Sequence, residues 1–203
     1  MKLQLKILVG TMLICLLSLG TQAQGRWIIK TADGASSKVV SGAKYYLRLD
    51  DNEYYLKYKY KKTGISLGWE KMDSPNITFT KQGGGEIKCG DRVAIKIENA
   101  RYLVYGKQTW GINLNWSDNA VYEWEIRSKD NKKGTSISTN EIVGLYNSRN
   151  TGFVVYCDKK AMPVVNLGWF SECPDGYVYP LGLNKFTNDD FIKLGKYLLP
   201  LAL

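Results

Sequence analysis

The chain has 203 residues, with 28 lysines and arginines against 19 aspartates and glutamates, a formal net charge of +9 and no histidine. Without histidine, the usual Ser-His and Cys-His nucleophile pairs and a histidine general base are excluded. Without histidine, a structural zinc site would need four thiolates, and only three cysteines follow the first 24 residues. The positive charge favours acidic partners, although many secreted proteins are simply basic. We expect no metal and no cofactor.

The N-terminal segment has the features of a secretory signal. Lys2 and Lys6 precede an apolar run from Ile7 to Leu19, and Thr21-Gln22-Ala23 resembles a signal-peptidase site. The apolar run is about 13 residues, short of the roughly 20 that a membrane-spanning helix needs. We therefore predict a signal peptide over residues 1–23, no transmembrane anchor, and a mature chain secreted to the extracellular space or the periplasm.

Three cysteines remain after the signal: Cys89, Cys157 and Cys173. An odd number in an oxidising compartment is most simply one disulfide and one free thiol. Cys157 and Cys173 flank two neighbouring predicted strands, so we favour that pair over the other two pairings, which stay open.

Alternating apolar residues separated by turn residues predict short strands along the whole mature chain. Residues 24–41 are interpreted as an N-terminal lead-in that contains one strand, Arg26 to Lys30. The other predicted strands, in chain order, are centred on Tyr45 to Leu49, Tyr54 to Tyr60, Ile65 to Trp69, Ile77 to Phe79, Val93 to Ile97, Tyr102 to Tyr105, Gly111 to Trp116, Val121 to Ile126, Ile142 to Leu145, Phe153 to Tyr156, Val164 to Trp169 and Tyr177 to Tyr179.

The spacing of large apolar residues occurs three times. Trp69 precedes Ile77 by eight positions, and the same interval separates Trp116 from Trp124 and Trp169 from Tyr177. Successive tryptophans at the first of these positions are 47 and 53 residues apart, a period typical of propellers, solenoids or closed arrays. The chain therefore contains three repeats, at about 42–81, 89–128 and 139–181.

Three units are too few for a propeller, and a solenoid would need capped ends. The pattern of an alternating strand, a Tyr-Leu strand, a Leu-Gly-Trp or Leu-Asn-Trp strand and an aromatic fourth strand resembles the β-trefoil over Gly42 to Leu181. The resemblance implies an all-β domain at 42–183, a β-trefoil of twelve strands in three four-stranded repeats, with the repeated leucines and tryptophans in its interior. The resemblance is specific for the fold and unspecific for function, since trefoils include lectins, protease inhibitors, cytokine-like ligands and receptor-binding modules of toxins.

The acidic residues give no reason to expect catalysis. They are interpreted as turn or alternating surface positions and form no motif for a pair of catalytic carboxylates. These residues are Asp50, Asp51, Glu53, Asp118, Glu123, Glu125 and Asp175. We expect no enzymatic activity.

A carbohydrate site is predicted where the repeats differ. Trp110 has no large aromatic counterpart in the other repeats, and Gln108, Asn113 and Asn115 lie near it in the sequence. An exposed indole can pack on the apolar face of a sugar while amides bond its hydroxyls. An indole folded back on the barrel is the structural alternative. The glutamine that ricin-type lectins carry two positions before the repeated tryptophan is absent, because those positions are Leu67, Leu114 and Leu167.

The leading functional hypothesis is therefore a secreted, lectin-like module that binds a glycan or glycoconjugate, including anionic ones. The alternative is a protein-binding module, such as a protease inhibitor or a receptor-targeting part of a toxin, acting through the loop with a two-residue insertion: Lys160, Ala161, Met162 and Pro163. The dispersed lysines give little reason to expect nucleic-acid binding. We expect a monomer.

Residues 184–203 form a C-terminal extension beyond the repeats. Asn188 can cap a short helix with Phe191, Leu194 and Leu198 on one face, ended by Pro200. We expect this helix to pack on the barrel, with docking to a membrane or a partner as the alternative.

Overall fold

The computed structural model describes residues 26–50, 53–98, 100–109, 111–128, 131–157 and 165–170. This part of the chain is all-β and contains twelve strands. They are β1 (Trp27–Lys30), β2 (Lys44–Leu49), β3 (Tyr55–Tyr58), β4 (Leu67–Glu70), β5 (Ile77–Thr80), β6 (Arg92–Ile97), β7 (Tyr102–Tyr105), β8 (Leu114–Ser117), β9 (Trp124–Ser128), β10 (Ile142–Asn147), β11 (Gly152–Tyr156) and β12 (Leu167–Trp169). Over the same ranges, no helix is long and apolar enough to cross a membrane.

Six strands close into a barrel through antiparallel pairing in the order β1, β2, β5, β6, β9, β10 and back to β1. The other six form three hairpins outside it: β3 and β4 extend from β2, β7 and β8 from β6, and β11 and β12 from β10. The same arrangement of two barrel strands and one hairpin thus occurs three times. Closure leaves the barrel strands without free edges.

The alternation seen in the sequence fills the barrel with one core. In β2, for example, Tyr45, Leu47 and Leu49 are buried and belong to the main cluster of buried side chains. Successive side chains of a strand point to opposite faces, so this spacing directs one face of each strand inward. The predicted all-β architecture and the positions of twelve predicted strands, the lead-in strand included, are confirmed.

The predicted lead-in strand is one of the six strands that form the barrel. β1 pairs with both β2 and β10. Its Trp27 Nε1 donates to the Val154 carbonyl at 2.8 Å, just as Trp124 Nε1 in β9 donates to the Leu103 carbonyl at 2.6 Å. β1 therefore has the place in the third repeat that was predicted for Tyr177 to Tyr179, which lie outside the described residues.

The links between β1 and β2, β5 and β6, and β9 and β10 meet at one end of the barrel. Three buried residues there form a ring of backbone hydrogen bonds: Val39 N–H to the Ile137 carbonyl at 2.8 Å, Ile87 N–H to Val39 at 2.8 Å, and Ile137 N–H to Ile87 at 3.1 Å. Each linker thus satisfies the buried backbone groups of another. The three links therefore hold this end of the barrel together.

The threefold pattern predicts that the repeated tryptophans lie in the barrel interior, but two of them do not. Trp124 and Trp169 are fully buried and stack with ring centroids 6.2 Å apart. Trp69 and Trp116, on the hairpin strands β4 and β8, are only half-buried and pack against the core from outside, whereas Trp169 is fully buried at the same position of β12. Trp69 is still fixed there, since its Nε1 donates to the Val165 carbonyl at 2.8 Å.

Candidate functional site

The predicted carbohydrate site lies in the loop between β7 and β8 and at the start of β8. Three of its four predicted residues are described. The Gln108 backbone N–H donates to Asn113 Oδ1 at 3.0 Å, and Gln108 Nε2 donates to the Leu114 carbonyl at 2.8 Å. Asn115 is exposed, and its Oδ1 accepts from the Trp116 N–H at 2.8 Å. Trp110 lies outside the described residues, so the proposed sugar platform stays a prediction.

The equivalent loop between β3 and β4 shows what the Asn113 side chain does. There the Lys61 N–H donates to Ser66 Oγ at 3.2 Å, which is the same bond that Gln108 makes to Asn113 one repeat later. A side-chain acceptor at this position closes the loop in both hairpins. This argues against Gln108 and Asn113 as ligand groups and leaves Asn115 as the exposed amide of the set.

The two other predicted features are only partly described. The protein-contact loop, Lys160 to Pro163, lies outside the described residues. Cys157 is disulfide-bonded, whereas Cys89 is buried and carries a free thiol. The predicted partner of Cys157, Cys173, is also outside the described residues.

Two acidic residues that the sequence placed on the surface are buried, which corrects that expectation. Glu123 is 3% exposed; its carboxylate accepts from the Tyr105 N–H and, at 3.0 Å, from Asn147 Nδ2, and it pairs with Arg149 Nη1 at 3.4 Å. It ties the hairpin strand β7 to β10 and the turn that follows. Glu125, two residues later, is the second buried acid and is part of a surface site.

That site, here called the basic groove, lies along the pairing of β6 with β9. It is a depression of about 370 Å³ lined by Cys89, Gly90, Arg92, Glu125, Arg127, Asn131 and Lys133. Three of these side chains are cationic and one is anionic. A cleft lined by one sign of charge concentrates its field on a ligand of the opposite sign.

Glu125 holds the two arginines of the groove. Its Oε1 is 3.2 Å from Arg92 Nε, and its Oε2 is 2.9 Å from Arg127 Nη2 and 3.0 Å from Arg127 Nε. The carboxylate is 11% exposed, whereas the Arg92 side chain is 51% exposed. One acid thus orients two guanidinium groups and neutralises only one of them.

Arg127 is fixed by aromatic rings as well. Its Cζ lies 3.6 Å from the ring centroid of Tyr146 and 5.5 Å from that of Phe153. Gly144 makes room for this stack, because a Cβ there would lie 2.8 Å from Phe153 Cε1. A guanidinium held by a carboxylate on one side and a ring face below has little freedom left to lose when it binds a ligand.

The opposite lip of the groove is backbone and lysine. Gly90 has φ +88°, and its missing Cβ would lie 3.0 Å from Lys133 Cγ, so the lysine stem packs on the glycine backbone. Asn131 also has a positive φ, 46°, and its Oδ1 lies 3.8 Å from Cys89 Sγ, the distance of a weak thiol hydrogen bond. The tight turn places an amide and an ammonium group opposite the arginines.

The barrel itself does not require the groove's charges. Arg92 faces Glu125 across β6 and β9, but the corresponding pair across β2 and β5 is Lys44 with Thr78, and across β1 and β10 it is Ile28 with Ile142. The sequence carries this signal. Arg92, Glu125 and Arg127 form a charged triad in one repeat, where the other two repeats have threonine, isoleucine or a single lysine. It was missed because alternating charges in a strand are typical of a solvated face.

No group of three or more cysteine, aspartate and glutamate side chains that could hold a metal ion occurs within the described ranges. The chain matches no protein-family model, and comparison with curated proteins and with solved structures found no match.

Proposed function

We propose that this protein is a secreted, non-catalytic binding module of β-trefoil architecture, and that it binds an anionic glycan in the basic groove. The observation that carries the proposal is the cluster of Arg92, Arg127 and Lys133 around the single counter-ion Glu125, present in one of three equivalent positions. A closed barrel of six strands with three outer hairpins is the arrangement that the trefoil resemblance implies.

The chemistry of the groove favours a carboxylate or sulfate ester. Arginine presents a planar fork of donors that matches these oxyanions, and such charge-assisted bonds are the stronger ones. Glu125 takes one edge of Arg127 and the Nε of Arg92. Glu125 does not engage the other N–H groups of the two arginines, and the lining keeps a surplus of positive charge.

The size and the second lip favour a saccharide over a simple ion. A volume of about 370 Å³ falls within the range of small-molecule sites, well above what one sulfate fills. Asn131 and the backbone around Gly90 supply uncharged hydrogen-bonding groups for hydroxyls. The full chain has a net charge of +9, and the positive surplus that remains without Lys2 and Lys6 of the predicted signal peptide draws acidic polymers toward the domain.

Neither buried acid is placed to act on a glycosidic bond. Glu123 is enclosed by its hydrogen bonds, and both carboxylate oxygens of Glu125 are engaged by arginines, so neither carboxylate is free to contact a glycosidic oxygen. The proposal therefore includes no hydrolysis. Pairing of Cys157 with Cys173 and secretion belong to the same proposal, because disulfides persist in oxidising compartments.

The test is calorimetric titration of the mature chain with a sulfated hexasaccharide, an oligomer of uronic acid and a neutral hexasaccharide. We expect binding of at least one acidic ligand, no binding of the neutral one, and about tenfold or greater weakening in Arg92→Gln and in Arg127→Gln. Lys44→Gln is the matched control, because Lys44 has the place of Arg92 in the neighbouring repeat. Absence of binding to every acidic glycan, or equal loss in the control, would overturn the proposal.

A further inference from the structure

The loop between β3 and β4, residues 59–66, presents a second feature that the fold does not explain. Tyr60 is 77% exposed, the highest value among the described large apolar residues that are exposed. Lys59 and Lys62 beside it are exposed as well, and Lys61 is half-buried. Four consecutive residues thus combine a protruding aromatic ring with three cations.

The base of this loop is rigid. The Lys59 N–H donates to the Ser66 carbonyl at 3.2 Å, the Lys61 N–H donates to Ser66 Oγ at 3.2 Å, and Ile65 is buried in the core. The Lys59 stem packs over Gly68, where a Cβ would lie 2.8 Å from Lys59 Cδ. The ring of Tyr60 is therefore held outward by a fixed backbone, and its exposure is not the result of a loose chain.

Among the described residues, the positive charge of the loop is balanced only in part: Glu70, which pairs with Lys57, also senses the charge of Lys59, and both lysines lower the pKa of Glu70. Lys57, just before it, pairs with Glu70 at 2.9 Å. No carboxylate in the described part of the chain lies within ion-pair distance of the Lys59, Lys61 or Lys62 ammonium groups. Burial is the main cause that lowers the pKa of Lys61, and the neighbouring charge of Lys59 lowers it further, since the two cations repel each other. An external layer of negative charge would relieve that repulsion.

The equivalent loop of the next repeat shows that folding does not need these residues. The positions of Lys59, Tyr60 and Lys61 correspond there to Gly106, Lys107 and Gln108, since Lys61 and Gln108 make the same hydrogen bond. In the loop between β7 and β8, therefore, neither the aromatic ring nor the cations at the places of Lys59 and Lys61 recur.

We propose that the loop of residues 59–66 docks the domain onto an anionic lipid surface. Tyrosine is enriched at membrane interfaces, where the ring meets the headgroup layer and the hydroxyl stays in water. Lysines near such a surface each add to the attraction for acidic headgroups. The loop has no fixed fork of donors comparable to the paired arginines of the groove, so it recognises charge density rather than one ligand shape. A fluid anionic bilayer fits that chemistry.

The test is co-sedimentation of the mature chain with vesicles of phosphatidylcholine alone and with vesicles that also contain phosphatidylglycerol. We expect binding only to the acidic vesicles, decreasing with salt, and about tenfold or greater weakening in the triple variant Lys59→Gln, Lys61→Gln, Lys62→Gln. Tyr60→Ala should weaken binding to the same vesicles, and Lys107→Gln in the equivalent loop should leave it unchanged. These surface changes preserve the buried Ile65 and the backbone bonds of the loop.

The outcome is independent of the glycan site. Arg92→Gln, which removes a groove charge, should retain vesicle binding, and a saturating sulfated hexasaccharide should displace the protein from vesicles no more than salt of equal ionic strength does. Equal binding to neutral and acidic vesicles, or full binding by the triple lysine variant, would overturn the lipid proposal. If Arg92→Gln lost more vesicle binding than the triple lysine variant, the basic groove and not the loop would be the site that attracts the vesicles.

Discussion

Glu125→Gln tests the electrostatics of the basic groove, because it removes the one negative charge from a site proposed to bind an anion. Glutamine keeps the shape and one acceptor oxygen, and the Arg127 guanidinium keeps its stack on Tyr146 at 3.6 Å. Removing a charge about 6 Å from a bound anion relieves a repulsion of about 0.7 kcal/mol at the dielectric constant of water and about 2.8 kcal/mol at an effective value of about 20. The acidic hexasaccharide should bind about threefold to 100-fold more tightly.

The measurement is the dissociation constant by calorimetry, in wild type and variant, at two salt concentrations. Glu98→Gln is the control, because Glu98 pairs with Lys44 at 2.7 Å and its loss changes the net charge by the same amount. The control should gain little, and the gain in Glu125→Gln should shrink with salt. Unchanged or weaker binding in Glu125→Gln, with the fold intact, would refute the view that the ligand is an anion competing with Glu125 for the arginines.

Three further substitutions test the barrel and its supports by urea unfolding. Trp124→Phe loses an indole bond to a buried carbonyl of β7 and part of a core ring, and should cost about 2–3 kcal/mol. Gly144→Ala should cost about 1–3 kcal/mol and weaken glycan binding, because the new methyl displaces Phe153; loss of stability alone would contradict the link between this ring and the groove. Burial raises the pKa of Asp91, but hydrogen bonds from Lys81 and a backbone amide lower it overall. Its stabilisation is therefore present above the unfolded pKa of about 3.9 and lost as the pH falls through the lower folded value, so Asp91→Asn should cost about 1 kcal/mol or less at neutral pH and nothing in strong acid.

The sequence predicted the strands well, because alternation of buried and exposed residues is a local property that pairing then uses. It misplaced β1 for a physical reason. Closure of a ring depends on which distant strands pair, and Trp27 to Lys30 carries no local mark that distinguishes a barrel strand from an appended one. Its equivalence to β9 becomes visible only in the bonds of Trp27 and Trp124 to carbonyls of outer hairpins.

The site was harder to predict than the fold. Gln108 and Asn113 were correctly placed in one loop, but their amides close that loop, as Ser66 does in the neighbouring repeat. Glu125 was interpreted as a surface position because alternation alone cannot reveal that a carboxylate is covered by arginines from its own strand and the next. Polar contacts across strands depend on register, which composition and spacing leave open.

Chemical-shift mapping of the labelled mature chain during titration with the sulfated hexasaccharide tests the central claim most directly. The proposal predicts the largest shifts at the amides of Gly90, Arg92 and Asn131 and at the Arg127 side chain, with little change at Lys44 and Thr78 in the equivalent position of the barrel. Shifts concentrated at Gln108 to Asn115, or spread evenly over exposed lysines, would contradict a glycan site in the basic groove.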